Sequence, residues 1–274
     1  MNAICDLATL VAAIPDGATL AIPNDPFGVA MAATRELVRR PARDLHIVCI
    51  PTSGIQADVL IGAGCVASIE TSAVSVGEYG TAPRFAAAAR DGSVKILDAT
   101  CPAIHARLQA GMKGLPFIPL RGLLGTDILA QRPDWKVIDN PFVPGDTVVV
   151  LPAIRPDVAL FHAPRADRSG NVFIGRARDL VNMAQASHAS LVTVEEVVDD
   201  NLLEDPERSA GVIPALYVAR IAVATRGAWP LGLPGRYGPD GAALGRYAQA
   251  ARTREGFGAW LASWLAGTSA AALA

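Results

Sequence analysis

The stretch His162-Ala-Pro-Arg-Ala-Asp-Arg-Ser-Gly-Asn-Val172 puts an imidazole, two guanidiniums and a carboxylate close together between two apolar runs. Asp157-Val-Ala-Leu-Phe161 before it and Val172-Phe-Ile-Gly175 after it have strand character, so the polar cluster reads as a turn displayed between strands. Gly and Asn tolerate positive φ, which suits Ser169-Gly-Asn171 to a tight turn. His162 heads the cluster, and a hydrogen bond that fixes the turn is its expected role. Further on, Ser190-Leu-Val-Thr-Val-Glu-Glu-Val-Val-Asp199 reads as a strand that turns acidic at its end. Glu195 and Glu196 are neighbours, so one faces the interior and the other faces out. Capping a helix or forming an ion pair is expected of them.

Other groups also have the types and spacing for chemistry. Glu78, in Val76-Gly-Glu-Tyr-Gly80, imitates the local pattern of an exposed carboxylate nucleophile, which needs N–H donors aimed at the developing oxyanion. Cys101 and His105 are four residues apart on one helix face, the spacing of a thiol and its base or of two metal ligands. No third ligand or orienting carboxylate stands at a recognisable spacing, so Cys101 is expected to be a buried free thiol. Gly62-Ala-Gly-Cys-Val-Ala67 fits the loose dinucleotide fingerprint. The residues from Cys65 to Thr71 favour a strand over the helix that fingerprint requires, so a tight turn is expected there. His46 inside an apolar strand and His188 at the close of a helix need no function.

Composition bounds the function. The chain has 274 residues, 24 of them basic and 26 acidic, for a net charge of −2. That balance gives no electrostatic case for nucleic acid. No apolar run approaches the roughly eighteen residues of a membrane span, and the N-terminus lacks the basic head and apolar core of a leader, so a cytoplasmic address is expected. Cys5, Cys49, Cys65 and Cys101 are dispersed without a CxxC pair, which suits reduced thiols and no metal site.

The elements that must position these groups alternate between strand and helix. The expected class is α/β, a mostly parallel sheet flanked by helices. Thr19–Ile22 and Leu45–Ile50 read as buried strands around a helix from Gly28 to Arg40. Further strands are expected over Cys65–Thr71 and Val94–Leu97, with a helix at Pro83–Arg90 between them. Pro102–Lys113 reads as a helix with Pro in its first turn. Leu115–Arg121 is extended, because its two prolines cannot sit inside a helix. Strands over Asp146–Ile154 and Asp157–Ala163 follow. Trp229–Pro239 reads as a surface loop. Helices at Asp240–Arg252 and Arg254–Leu265 come next, burying Leu244, Tyr247, Phe257, Trp260, Leu261 and Trp264. One domain spans 1–274, with the loop and C-terminal helices of 229–267 packing on it and a frayed tail from Gly267.

Five segments in order carry a resemblance: Asp16-Gly-Ala-Thr-Leu-Ala-Ile22; Ile61-Gly-Ala-Gly-Cys65; Gly114-Leu-Pro-Phe-Ile-Pro-Leu-Arg-Gly122 with Gly125-Thr-Asp127; Leu151-Pro-Ala-Ile-Arg-Pro-Asp157 leading to the His162 cluster; and Tyr237–Gly267. Together they resemble the α subunit of the family I CoA-transferases, particularly the glutaconate CoA-transferase type. The resemblance implies the CoA-transferase, NagB/RpiA-like fold. It also implies no cofactor, with a coenzyme A thioester as substrate. In the two-subunit members the attacking glutamate belongs to the β subunit, typically beside Asn-Gly or Gly-Gly, and no Glu here is followed by either. The expectation is therefore an α subunit moving CoA between a small acyl-CoA and a carboxylic or dicarboxylic acid, with no catalytic residue of its own and the nucleophile on a β partner.

Two departures bear on the site. Pro23-Asn-Asp-Pro26 replaces the Gly-Gly-Phe or Glu-Gly-Phe loop of many α subunits, so backbone donors give way to the side chains of Asn24 or Asp25. Cys101 stands about where relatives carry His or Glu, including the acid of a ring-opening hydrolase branch. By position in the family, Asn24, Asp25 and Phe27, then Gly77, Glu78, Arg121 and Thr126, are the expected substrate contacts. Arg121 could pair with a substrate carboxylate through its planar fork. The alternatives are one chain of an acyl-CoA hydrolase, including a C–C bond-cleaving one, and a non-catalytic ligand-binding domain.

Overall fold

A computed structural model describes residues 3–40 and 42–266. The tail from Gly267 lies outside the described residues. The chain opens with β1 (Ala3–Ile4) and α1 (Leu7–Ala12), which Asp6 caps by accepting from the Thr9 amide at 2.6 Å. Then come β2 (Thr19–Pro23), α2 (Met31–Arg39), β3 (Leu45–Ile50), α3 (Ile55–Gly62), β4 (Val66–Thr71), α4 (Pro83–Asp91), β5 (Lys95–Asp98) and α5 (Cys101–Met112). Next are β6 (Phe117–Leu120), α6 (Ile128–Gln131), β7 (Lys136–Asp139) and β8 (Thr147–Pro152). The rest of the chain forms β9 (Val158–Asp167), β10 (Val172–Phe173), α7 (Arg178–Ala186), β11 (Ala189–Val198), β12 (Val212–Ile213), β13 (Arg220–Val223), α8 (Gly241–Ala250) and α9 (Arg254–Leu265).

The main sheet runs β1-β13-β11-β9-β2-β3-β4-β5, with every neighbouring pair parallel. Among the described residues, only β10 and β12 join it in antiparallel fashion, at the far end of β9. The central strands are apolar on both faces, as a sheet covered on both sides requires. Leu20, Ile22, Leu45, Ile47, Val158 and Leu160 pack into one core with α1, α2, α3 and the C-terminal helices. The alternate residues Ala21, Val48, Ile50, Ala159 and Phe161 pack into a second core under α5 and α7. Among the described residues, no helix is long and apolar enough to cross a membrane.

Several boundaries differ from the sequence expectation. The helix expected from Gly28 starts at Met31, because Gly28 takes a left-handed φ of +74° that ends the preceding loop. The polar cluster at 162–172 is not a turn along its length: β9 continues to Asp167, held by its ladder with β11 as far as Asp167↔Val198. The turn is confined to Arg168–Asn171, where Asp167 Oδ1 accepts from the Asn171 amide at 2.9 Å. The extended segment of Leu115–Arg121 holds β6, an edge strand of a separate antiparallel sheet ordered β6-β8-β7. Edge placement accommodates Pro119. The Trp229–Pro239 loop begins inside the molecule, with Leu231 and Leu233 buried, and reaches solvent only from Pro234.

Candidate functional site

At the centre of the sheet the chain order reverses: β2 leads to β3, β4 and β5 on one side, and β9 leads to β11, β13 and β1 on the other. Such a switch point leaves a crevice beyond the carboxyl ends of the two strands. Here β2 and β9 pair only through Leu20↔Val158 and Ala21↔Ala159 and then separate. That is where Pro164, which has no amide to donate, is tolerated within β9.

The β2 loop, Asn24 to Gly28, turns into this gap, and the His162 amide donates to Gly28 O at 2.6 Å. A Cβ on Gly28 would lie 2.2 Å from His162 O, so glycine alone permits the approach. Between Phe27 and Gly28 on one wall and His162 and Pro164 on the other lies a cavity of about 50 Å³, closed by Ile174, Leu180 and Leu233. Arg176 lines this slot and also an outer groove of about 380 Å³ that runs along Arg178 and Arg208.

His162 is fully buried. Its Nδ1 lies 2.8 Å from the hydroxyl of Thr193, its register partner on β11, and its Nε2 lies 2.8 Å from Glu195 Oε1. An ionised carboxylate only accepts, so Nε2 carries the proton. Glu195 also accepts from the Arg226 amide at 2.8 Å, the Gly227 amide at 3.2 Å and the Tyr237 hydroxyl at 2.7 Å. Burial opposes its ionisation, but the hydrogen bonds from His162, Arg226 and Tyr237 outweigh it and hold the carboxyl at about 2. The Tyr237 phenol is pushed up, by burial first and then by the neighbouring carboxylate. Gly227 lies against the imidazole, where a Cβ would come within 2.5 Å of Cε1. Glu195 thereby ties the 226–237 loop to the ends of β9 and β11. Both glutamates lie within β11, and the expected ion pair is made by Glu196, with Arg165 at 3.6 Å and with Arg236.

On the β2 side, the Asp25 carboxyl abuts the start of α3: a Cβ on Gly54 would meet its Oδ2 at 2.0 Å and Ser75 O at 2.5 Å. Burial raises this carboxyl to about 7, against the pull of the Ile55 and Gly54 amides. Asn24 Oδ1, Asp25 Oδ1, Ser53 Oγ and Gln56 Oε1 are buried and make no hydrogen bond to other described residues. The turn Gly77–Tyr79 follows Ser75 with Glu78 exposed, and the Tyr79 hydroxyl donates to Gly241 O, at the start of α8, at 2.6 Å. Of the expected contacts, then, Asn24, Asp25 and Phe27 share the β2 loop, whereas the turn that holds Gly77 and Glu78 is fastened to α8. Arg121 and Thr126 belong to the region of the small sheet and have local partners. Arg121 forks onto Asp146, with Nη2–Oδ2 at 2.6 Å, and the Thr126 hydroxyl donates to Leu123 O at 2.8 Å.

Cys101 is exposed, not buried, with Sγ 3.1 Å from Ser72 Oγ, while His105 Nδ1 lies 3.6 Å from Asp179 Oδ1 on α7. Among the described residues, no group of three or more His, Cys, Asp or Glu side chains could hold a metal ion. Sequence reasoning missed Arg176, Leu233 and Tyr237. The one available signal was parity: Thr193 and Glu195 are two apart on a strand and must share a face.

A model of the family described as coenzyme A transferase matches residues 5–224. The A-type chain of a 3-oxoadipate CoA-transferase from Pseudomonas knackmussii is 34% identical over 260 residues, which is 93% of this chain and 90% of that one. The solved glutaconate coenzyme A-transferase from Acidaminococcus fermentans superposes with a TM-score of 0.90 at 27% identity, covering 96% of this chain and 88% of that one. A cysteine-to-serine variant of the decarboxylase AibA/AibB gives a TM-score of 0.85 at 30% identity, covering 97% and 98%. With the family model spanning the sheet from α1 through β13, the chain belongs to the coenzyme A transferase family.

Proposed function

We propose that this chain is the α-type half of a two-chain CoA-transferase, which moves CoA from an acyl-CoA to a small carboxylic or dicarboxylic acid. The observation that carries this reading is the extent of the match: the chain corresponds to 90% of the length of the 3-oxoadipate CoA-transferase chain. The attacking glutamate then belongs to a second polypeptide. Its carboxylate adds to the thioester carbonyl and expels CoA thiolate, leaving a mixed anhydride. The thiolate attacks the glutamyl carbonyl, releases the first acid and forms an enzyme thioester. The acceptor acid repeats the two steps in reverse order and leaves as the new acyl-CoA, so every bond broken is matched by one formed.

The carboxylates of this chain fit a supporting part. Glu195 is saturated with donors and held at a low pKa, which makes it a good tether and a poor nucleophile. Asp25 is packed against Gly54. The switch-point slot, with Phe27 at its rim, is the space that receives the acid.

Co-expression with a β-type partner and an exchange assay with labelled acid test the proposal. The purified complex is expected to pass CoA to the added acid, and borohydride reduction followed by peptide mapping is expected to place the trapped glutamate on the partner. Free CoA released without an acceptor would indicate a hydrolase instead. Robust transfer by the isolated chain would overturn the two-chain reading.

A further inference from the structure

Arg176 is the feature of the slot that its apolar walls do not explain. The other arginines around it are engaged. Arg178 Nη1 donates to Ala210 O at 2.7 Å, Arg208 pairs with Asp205 at 3.4 Å, Arg165 and Arg236 share Glu196, and Arg226 lies over the Tyr237 ring at 5.2 Å. Arg176 is exposed, and its guanidinium makes no hydrogen bond or ion pair within the described residues. It nevertheless lines the cavity of about 50 Å³ that Phe27, Ile174, Leu180 and Leu233 make apolar. The imidazole in the same wall is unavailable to a ligand, since both ring nitrogens are occupied by Thr193 and Glu195.

An apolar slot with an uncommitted arginine in its lining suits a molecule with a short hydrocarbon body and an anionic end. At roughly 10–15 Å³ for each water-sized position, the slot holds a chain of about three to five heavy atoms. The planar fork of an arginine matches a carboxylate in bidentate geometry. We propose that Arg176 is the specificity-determining residue of the acid site: it binds the distal carboxylate of a short dicarboxylic acid whose methylene chain fills the slot between β2 and β9. This rests on the CoA-transferase reading and names its substrate class. The reacting carboxyl then lies toward Phe27, which is 37% exposed and marks the rim. Arg121, the arginine expected from the sequence to meet a substrate carboxylate, is already forked onto Asp146.

The test compares wild type, Arg176→Gln and Arg176→Lys in the complex with the partner, using glutarate and pentanoate as acceptors of equal chain length. Arg176→Gln is expected to lower kcat/KM for glutarate by roughly 10- to 100-fold, mostly through KM, the size expected for loss of a charge-assisted hydrogen bond. Pentanoate is expected to lose far less, so that the preference for glutarate collapses, and Arg176→Lys is expected to restore part of it. Equal losses on both acids, an unchanged preference, or a rise only in the KM for the acyl-CoA would overturn the inference; the last would give the guanidinium to a CoA phosphate. Saturation-transfer NMR on the isolated chain decides the point apart from turnover. Glutarate signal present in wild type and lost in Arg176→Gln supports the site even if no CoA moves, whereas equal signals from both proteins reject it even if CoA does.

Discussion

Glu195 and Asp25 stand on either side of the switch point with opposite proton affinities, and pH separates them. For Glu195, the folded value of about 2 lies below the ordinary 4.5. The unfolded chain binds the proton first, so this carboxylate contributes stability above pH 4.5 that is lost as the pH falls toward 2. At 1.36 kcal/mol per unit, the contribution is about 3 kcal/mol. Glu195→Gln is expected to destabilise the chain by about 2–4 kcal/mol at pH 7 in urea unfolding, with the gap to wild type closing through that acid window. A constant gap from pH 7 to pH 3 would show that the loss is steric. For Asp25, the folded value of about 7 lies above the ordinary 3.8. Here the folded chain binds the proton first. Stability is greatest below pH 3.8 and is lost as the pH rises through 7, by about 4 kcal/mol at most. Asp25→Asn is therefore expected to be more stable than wild type at pH 8 and equal to it near pH 4. Thermal melts across that range check the sign, and a less stable variant at pH 8 would show that the ionised Asp25 holds its loop in place.

Among the elements, the β2 loop is limited by a single backbone approach. Gly28 and Gly17 have nearly the same φ, +74° and +75°, yet a Cβ at Gly28 would sit 2.2 Å from His162 O, while at Gly17 nothing lies within 4 Å. Gly17→Ala is expected to cost only the left-handed backbone penalty, about 1–2 kcal/mol. Gly28→Ala carries the same penalty plus the displacement of its loop from β9, so its melting temperature is expected to fall further and the slot to open. Equal melting temperatures for the two variants would mean that the loop yields freely. The same elements mark what the sequence discloses. Thr19–Ile22 and Leu45–Ile50 were legible as strands because central parallel strands are apolar throughout. The helix α3 escaped because it is buried all round, from Ile55 to Ile61, and so has no polar stripe to set a period. The strand β7 escaped because all four of its residues are exposed. At the site, Phe27 was named from its position in the family, and it lines the slot between β2 and β9. Tyr237 could not be placed, since it reaches Glu195 from 42 residues away through a loop rich in Pro and Gly.

Across the whole molecule, the small sheet is fastened to the large one by a buried charge cluster, a feature no local pattern in the sequence discloses. Glu70 on β4 meets Arg107 on α5 and Arg132 just beyond α6, and the three are 6%, 6% and 1% exposed. Arg107 Nε donates to Pro152 O of β8 at 2.7 Å. Arg132 donates to Asp98 O at 3.0 Å and forks onto Asp134 at 3.0 and 2.9 Å. Both guanidiniums lie over the Trp135 ring, at 5.8 and 4.1 Å. Removing the central carboxylate leaves two buried cations with too little countercharge, and breaking such a pair costs about 3–5 kcal/mol. Glu70→Gln is expected to lose about that much stability in urea. Fluorotryptophan labelling can show how the loss is shared, since Trp135 sits in the cluster while Trp260 packs against Tyr247 at 4.6 Å on the far side of the main sheet. In wild type the 19F resonances of the two are expected to vanish at one urea concentration, because the cluster couples the sheets into a single transition. In Glu70→Gln, Trp135 is expected to change at lower urea than Trp260. Coincident loss of both signals in the variant would mean that apolar packing of Leu123, Val149 and Leu151 holds the sheets together without the charges.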